Sequence, residues 1–163
     1  MKEILYKVPV VVPDGGPPTI FQGWNGQYSH NGTHPSIDLT YAVDFAVVPG
    51  TPVVAARGGK ITIIHQAPNE PYFGLDPAVG FRCPVTFIAI DQGDGTQAVY
   101  AHLDPESIFV TEGNIVSEGA QLARSGLSGW IGPSPHVHFH VQATEMDLST
   151  HKRRVFTLPI QFK

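Results

Sequence analysis

The sequence predicts an all-β domain. Seventeen glycines and 15 prolines are spread along 163 residues and separate short segments rather than forming one run. Those segments are β-branched or alternate with a period of two. No stretch keeps a 3.6-residue apolar period over three turns, so no helix longer than a turn or two is expected. Hydrophobic residues make up 42% and charged ones 15% of the chain. That length and composition suit one globular domain over residues 1–163, with residues 1–20 as an N-terminal edge strand and turn.

Residues 4–12 are apolar and β-branched but contain Pro9, which cannot donate to a ladder, so they predict an edge strand. Residues 14–18 form a turn cluster. Residues 21–39 are polar, aromatic and glycine-rich and read as a long loop, a class that is usually functional. Residues 41–47, 52–56 and 60–65 are short strand candidates separated by Gly50-Thr51 and Gly58-Gly59. Residues 66–82 make a second loop, carrying Tyr72 and Phe73. Residues 84–91 and 97–102 flank Gly93-Asp94-Gly95, an Asp-Gly hairpin signal. Short pieces follow at 108–110, 115–116 and 121–123. Residues 136–143 alternate strongly, and 157–162 are the last strand candidate.

Several function classes are disfavoured at once. The net charge is −4 with neutral histidines, and no basic stripe suits nucleic acid. No apolar run is long enough to span a bilayer. Met1-Lys2-Glu3-Ile4 is not followed by an export-signal pattern, which leaves a cytoplasmic location open. Cys83 is the single cysteine, so a disulfide framework and a cysteine-based zinc site are both excluded; it reads as a small apolar filler.

The chemistry concentrates in Pro135-His136-Val137-His138-Phe139-His140-Val141. On a strand, residues two apart share a face. His136, His138 and His140 then line one face, and Val137, Phe139 and Val141 a core face. A solvated histidine-rich face is the plain alternative, but imidazole is a common zinc ligand, and ligands at i and i+2 can converge. A catalytic zinc needs about three protein ligands and an open position. Asp44, in the apolar stretch Tyr41-Ala42-Val43-Asp44-Phe45-Ala46, is the next candidate, because a buried acid must be paired or bound. His30 and His34 lie in the loop before it, and His102 ends a strand candidate. Each of these three, taken alone, reads as a surface histidine.

Together these residues resemble the lysostaphin-type zinc metallopeptidases, the peptidoglycan endopeptidases. The likeness runs from about residue 21 to 141. Ser29-His30 with residues 41–46 and 50–56 is similar to the family's first metal motif and its turn. Asp94-Gly95 through Tyr100-Ala101-His102-Leu103 looks like its central hairpin. Residues 110–116 and 119–122 look like its glycine-punctuated turn. Ser125-Gly126-Leu127-Ser128-Gly129 with residues 135–139 is similar to its closing motif.

The resemblance implies a small antiparallel β-sheet domain of the barrel-sandwich hybrid type, with long loops forming a groove. It implies that an early-loop histidine, Asp44 and His138 bind Zn²⁺, that His102 and His136 are catalytic and flank the metal-activated water, and that no other cofactor is used. The implied substrate is a peptidoglycan peptide, and the implied location extracellular or periplasmic. Two departures stand out. His30 precedes Asp44 by fourteen positions and His34 by ten, both more than is usual in the family. Gln22-Gly23, Asn25-Gly26 and Tyr28-Ser29-His30 favour His30. His140 stands where many relatives carry an acid. Trp24, Tyr28, Tyr72, Phe73 and Trp130 are candidate substrate contacts. Two other functions stay open: a catalytically inactive relative that binds wall or activates a hydrolase, and a phosphocarrier-like β sandwich, which would leave Asp44 without a role.

Overall fold

The computed structural model describes residues 4–163. Met1, Lys2 and Glu3, where the stretch read for an export signal begins, lie outside the described residues. The strands are β1 (Leu5–Tyr6), β2 (Thr19–Gln22), β3 (Val43–Ala46), β4 (Pro52–Val54), β5 (Gly59–His65), β6 (Pro71–Tyr72), β7 (Phe87–Asp91), β8 (Thr96–Ala101), β9 (Leu103–Ile108), β10 (Ile115–Val116), β11 (Gln121–Ser125), β12 (Gly129–Trp130), β13 (His136–Asp147), β14 (Lys152–Thr157) and β15 (Gln161–Phe162). The one helix among the described residues is α1 (Pro77–Gly80), capped by the Asp76 side chain on the Ala78 N–H.

The large sheet runs β10-β5-β7-β8-β13-β3-β2, with β14 pairing the far half of β13. A three-stranded sheet, β4-β11-β9, stands apart from it. Both are antiparallel throughout and do not close into a barrel, whereas the two-stranded pairs β1-β15 and β12-β6 are parallel. Among the described residues no helix is long and apolar enough to cross a membrane.

Alternation decides which face of the large sheet is core. Val137, Phe139 and Val141 of β13, Ala98 and Tyr100 of β8, and Ile88 and Ile90 of β7 pack against Val53, Leu122 and Ala123 of the smaller sheet. Burying one such side chain contributes about 1.5–3 kcal/mol. The opposite face of β13 carries His136, His138 and His140, so the core fixes where those imidazoles point.

Most strands foreseen from the sequence form within a few residues of their expected ends, but the piece expected at 108–110 lies earlier, in β9, and shares only Ile108 with it. At the Asp-Gly hairpin, Gly93 and Gly95 take φ of 76° and 88°, which the turn between β7 and β8 requires. The expected edge strand at residues 4–12 is broken into β1 and an isolated bridge at Val10, because Pro9 has no N–H for a continuous ladder; its carbonyl accepts from Val54 N instead. The expected last strand, 157–162, is two pieces: Thr157 ends β14, and β15 holds only Gln161–Phe162. The β13–β14 hairpin extends the large sheet through residues too exposed to show an apolar period.

The Ala56 N–H donates to the Tyr100 hydroxyl at 2.9 Å inside the core. We expect Tyr100→Phe to leave that N–H unpaired and to lower unfolding free energy by about 1–3 kcal/mol, read from urea denaturation. An unchanged midpoint would contradict this role.

Candidate active site

Asp44 lies on β3 directly opposite His138 on β13. The ladder therefore sets the carboxylate beside the imidazole, with Oδ1 2.9 Å from His138 Nδ1. His30 reaches the same point from the loop after β2; its Nε2 is 3.4 Å from both Asp44 Oδ1 and His138 Nδ1. Donor atoms of His30, Asp44 and His138 all lie within 4.8 Å of one another, and all three residues are buried. His136 Nε2 is 3.8 Å from Asp44 Oδ2. The His102 ring meets the His136 ring edge to face, centroids 4.6 Å apart. The five residues singled out from the sequence are thus brought together. His34 stands outside the cluster: its Nδ1 accepts from Ser36 N and its ring packs on Phe81.

Hydrogen bonds orient each imidazole. His30 Nδ1–H donates to the Gly23 carbonyl at 2.9 Å, which leaves Nε2 as a lone pair turned to Asp44. His136 donates from Nδ1 to Ser134 O and His102 from Nδ1 to Ser128 O, each at 2.8 Å, so both keep a free Nε2. His102 holds a φ of 64°, a conformation sparsely populated for any residue but glycine.

The direction of the bonds at His138 is set from a distance. The Thr62 hydroxyl donates to the Ala89 carbonyl at 3.3 Å, so its oxygen accepts from Gln97 Nε2 at 3.0 Å. Gln97 Oε1 then accepts from Gln142 Nε2 at 2.8 Å, and Gln142 Oε1 from His140 Nε2–H at 3.0 Å. His140 Nδ1 is left as an acceptor for His138 Nε2–H, 2.8 Å away. A neutral imidazole has one N–H. His138 spends it on His140 and turns a lone pair toward Asp44.

Electrostatics sharpen the conflict. Burial opposes ionisation of Asp44, but His136, His138 and His30 outweigh it and hold the carboxyl well below the usual range. Burial is also the largest influence on His138 and lowers its pKa, against the pull of Asp44. Burial, with His136 and His138 nearby, pushes His102 down to about 3; burial and His138 push His140 down to about 3. Burial thus favours the neutral form of the His102, His138 and His140 rings.

Gln22, noted in the sequence only as part of a local motif, is the hinge of the loop. Its Nε2 donates to Asp44 Oδ2 at 2.7 Å, and its Oε1 accepts from the N–H groups of Tyr28 and Ser29, next to His30. A Cβ on Gly26 would sit 2.2 Å from the Gln22 side chain, so only glycine fits there. Gln97 and Gln142 were also missed. Their signal was available, since Gln142 continues the alternation of 136, 138 and 140. Of the aromatic candidates, Tyr28 and Trp130 line the groove beside the cluster; Trp24, Tyr72 and Phe73 do not.

Residues 38–150 match the profile of peptidase family M23. The chain belongs to peptidase family M23. His30 lies before the matched residues and joins the cluster through the fold. The chain is 30% identical over 112 residues to the peptidoglycan DD-endopeptidase ShyB of Vibrio cholerae, covering 69% of this chain and 20% of that protein. It spans about a fifth of the length of the curated relatives it matches. A zinc containing peptidase from Vibrio cholerae superposes with a TM-score of 0.57 at 25% identity, over 85% of this chain and 37% of that one. The antimicrobial peptidase lysostaphin from Staphylococcus simulans gives 0.54 at 26%, over 83% and 47%.

We expect Gln22→Leu to strip a donor from Asp44 and an acceptor from two loop N–H groups. Each buried group left unpaired costs about 1–3 kcal/mol. Hydrogen exchange should then quicken at Tyr28 and Ser29 while β8 and β13 stay protected. Uniform exchange at wild-type rates would show that Gln22 does not hold the loop.

Proposed function

We propose that this M23 chain is a zinc-dependent endopeptidase that cleaves peptide bonds in peptidoglycan stems or cross-bridges, with His30, Asp44 and His138 as metal ligands and His102 and His136 as catalytic residues. The observation that carries it is the convergence of one ligand atom each from His30, Asp44 and His138, all buried and within 4.8 Å of one another. Three acceptors at that spacing repel one another unless a cation lies between them. The spacing also suits zinc. Two donors each about 2.1 Å from one ion sit roughly 3.4 Å apart in tetrahedral geometry, and the separations here are 2.9, 3.4 and 3.4 Å. Two nitrogens and one carboxylate leave a fourth position for water or substrate.

Zinc held there would supply Lewis acidity, making water a competent nucleophile near neutral pH and polarising the scissile carbonyl. The chain's own residues do the rest. His102 and His136 stand side by side, each with Nδ1–H committed to a backbone carbonyl and Nε2 free. One free Nε2 accepts a proton from the attacking water. Once protonated, that Nε2–H donates to the oxygen that gains charge and then passes its proton to the departing amine. The backbone carbonyls of Ser128 and Ser134 keep the two rings from turning away. Gln22 and the bonds through His140 to Thr62 hold the ligand atoms in position. A cell-wall substrate implies action outside the cytoplasmic membrane.

Elemental analysis should find about one zinc per chain, removed by a chelator together with release of amines from purified cell walls. We expect Asp44→Ala and His138→Ala to lose the metal. His102→Ala and His136→Ala should keep it and slow cleavage about 10²–10³-fold. Stoichiometric zinc with no cleavage of any cross-linked wall peptide would instead support an inactive binding or activating relative. Gln142→Leu breaks the chain of bonds that fixes His138, and we expect it to weaken zinc about 10–100-fold in chelator competition.

A further inference from the structure

Next to the groove of the histidine cluster lies a second depression, a cavity of about 300 Å³ between residues 32–38 and β14. The loop is stitched to the edge of that strand. Asp38 N donates to Val155 O at 3.2 Å, and Thr157 N donates to Asp38 O at 2.9 Å. The groove and the depression meet at His34 and Ile37, which line both. A chain lying in the groove therefore has a path into the depression.

Register and charge decide what the depression can hold. β13 and β14 pair with Thr144 opposite Val155, Glu145 opposite Arg154 and Met146 opposite Arg153. Paired residues share a face of the sheet, and the face alternates along each strand. Arg153 is thus on the face that carries His136, His138 and His140, and Arg154 is on the other. Arg154 is already engaged: it lies 3.4 Å from Glu145, 3.7 Å from Asp38 and 5.8 Å over the Phe156 ring. Asp38 is occupied in turn, since its Oδ1 also accepts from Thr40 N at 3.0 Å. Arg153 lines the depression, is exposed, and enters no ion pair among the described residues. With Asp38 balanced by Arg154, Arg153 is the surplus charge. His34 Nδ1 accepts from Ser36 N, so the N–H of the neutral ring is at Nε2, and Ser36 adds a hydroxyl.

Resting on the peptidase reading above, we propose that this depression is a subsite for a free carboxylate of the wall peptide, with Arg153 as its cation and His34 and Ser36 as further donors. A guanidinium offers two parallel N–H groups to a planar carboxylate, a match that an uncharged amide does not make. Val155, at the depression, is opposite Thr144, six residues along β13 from His138 and about 20 Å of strand away. The carboxylate it receives therefore lies several residues from the cut amide. Peptidoglycan stems carry free carboxylates, whereas a glycine bridge joined at both ends carries none. The subsite selects cross-linked stems whose carboxylates are not amidated.

Two measurements on the zinc-loaded protein test this. In the first, N-acetylglutamate α-amide and N-acetylglutamine amide, which differ in one carboxylate, are titrated while backbone NMR signals are followed. The glutamate probe alone should shift Ser36, Arg153 and Val155. Arg153→Gln should abolish those shifts, and Arg153→Lys should keep part of them. Equal shifts from both probes, or shifts that persist in Arg153→Gln, would overturn the subsite; a carboxylate taken by the metal would give no shift at β14 and would overturn it too. Glycerol phosphate moving the same signals at lower concentration than the glutamate probe would overturn the assignment to a carboxylate. In the second, cross-linked stem dimers are compared with their carboxylates free and amidated. The free acid should have a kcat/KM about three- to tenfold higher, carried by KM. That advantage should vanish in Arg153→Gln and shrink in high salt. Both dimers cut alike by the wild type would overturn the subsite and leave the peptidase reading standing. Selective shifts at β14 without cleavage of either dimer would sink the peptidase reading and leave the subsite.

Discussion

One buried carboxylate organises the site. Asp44 sits on β3 where the ladder with β13 puts it opposite His138, and it is buried among Gln22, His30, His136 and His138. Gln22 supplies one donor; the nitrogens of His30 and His138 offer lone pairs. Such an arrangement could hold a metal ion. The surrounding structure exists to hold it: a core behind β13, a glutamine hinge in the loop, and a run of amides behind His140.

That division shows why some of the site was legible in the sequence. The alternation of His136, Val137, His138, Phe139, His140 and Val141 is a local pattern, and a period of two states which side chains face the core and which face away. Asp44 was conspicuous because an acid among apolar residues needs a partner. His30 could not be separated from His34 on spacing alone. The difference is made by Gly23, whose carbonyl accepts a hydrogen bond from His30 Nδ1–H, and by Gln22, which bridges the loop to Asp44. Those contacts span the loop and the sheet, and no period in the chain reports them.

The fold was readable for the same reason, and unread where that reason failed. Buried strands such as β7, β8 and the first half of β13 carry an apolar rhythm. The β13–β14 extension, from Thr144 through Arg154, is largely exposed and carries none. Pro9 correctly signalled an edge, yet the register of its segment depends on Pro52 and Val54, forty residues on. Cys83, set aside as a filler, is in fact part of the groove wall.

On the face of the large sheet turned away from the core, His136, His138, His140 and Gln142 of β13 lie beside apolar positions on other strands, Ile63, Phe87, Ala89 and Val99 among them. His30, Asp44, His136 and His138 come from β3, β13 and one loop, whereas the apolar positions come mostly from β5 and β7 and from alternate positions of β8. Ile63 lines the groove and lies outside the cluster of His30, Asp44 and His138. The histidine cluster and the lining of its groove can therefore change independently in descendants of this chain, since different strands carry them.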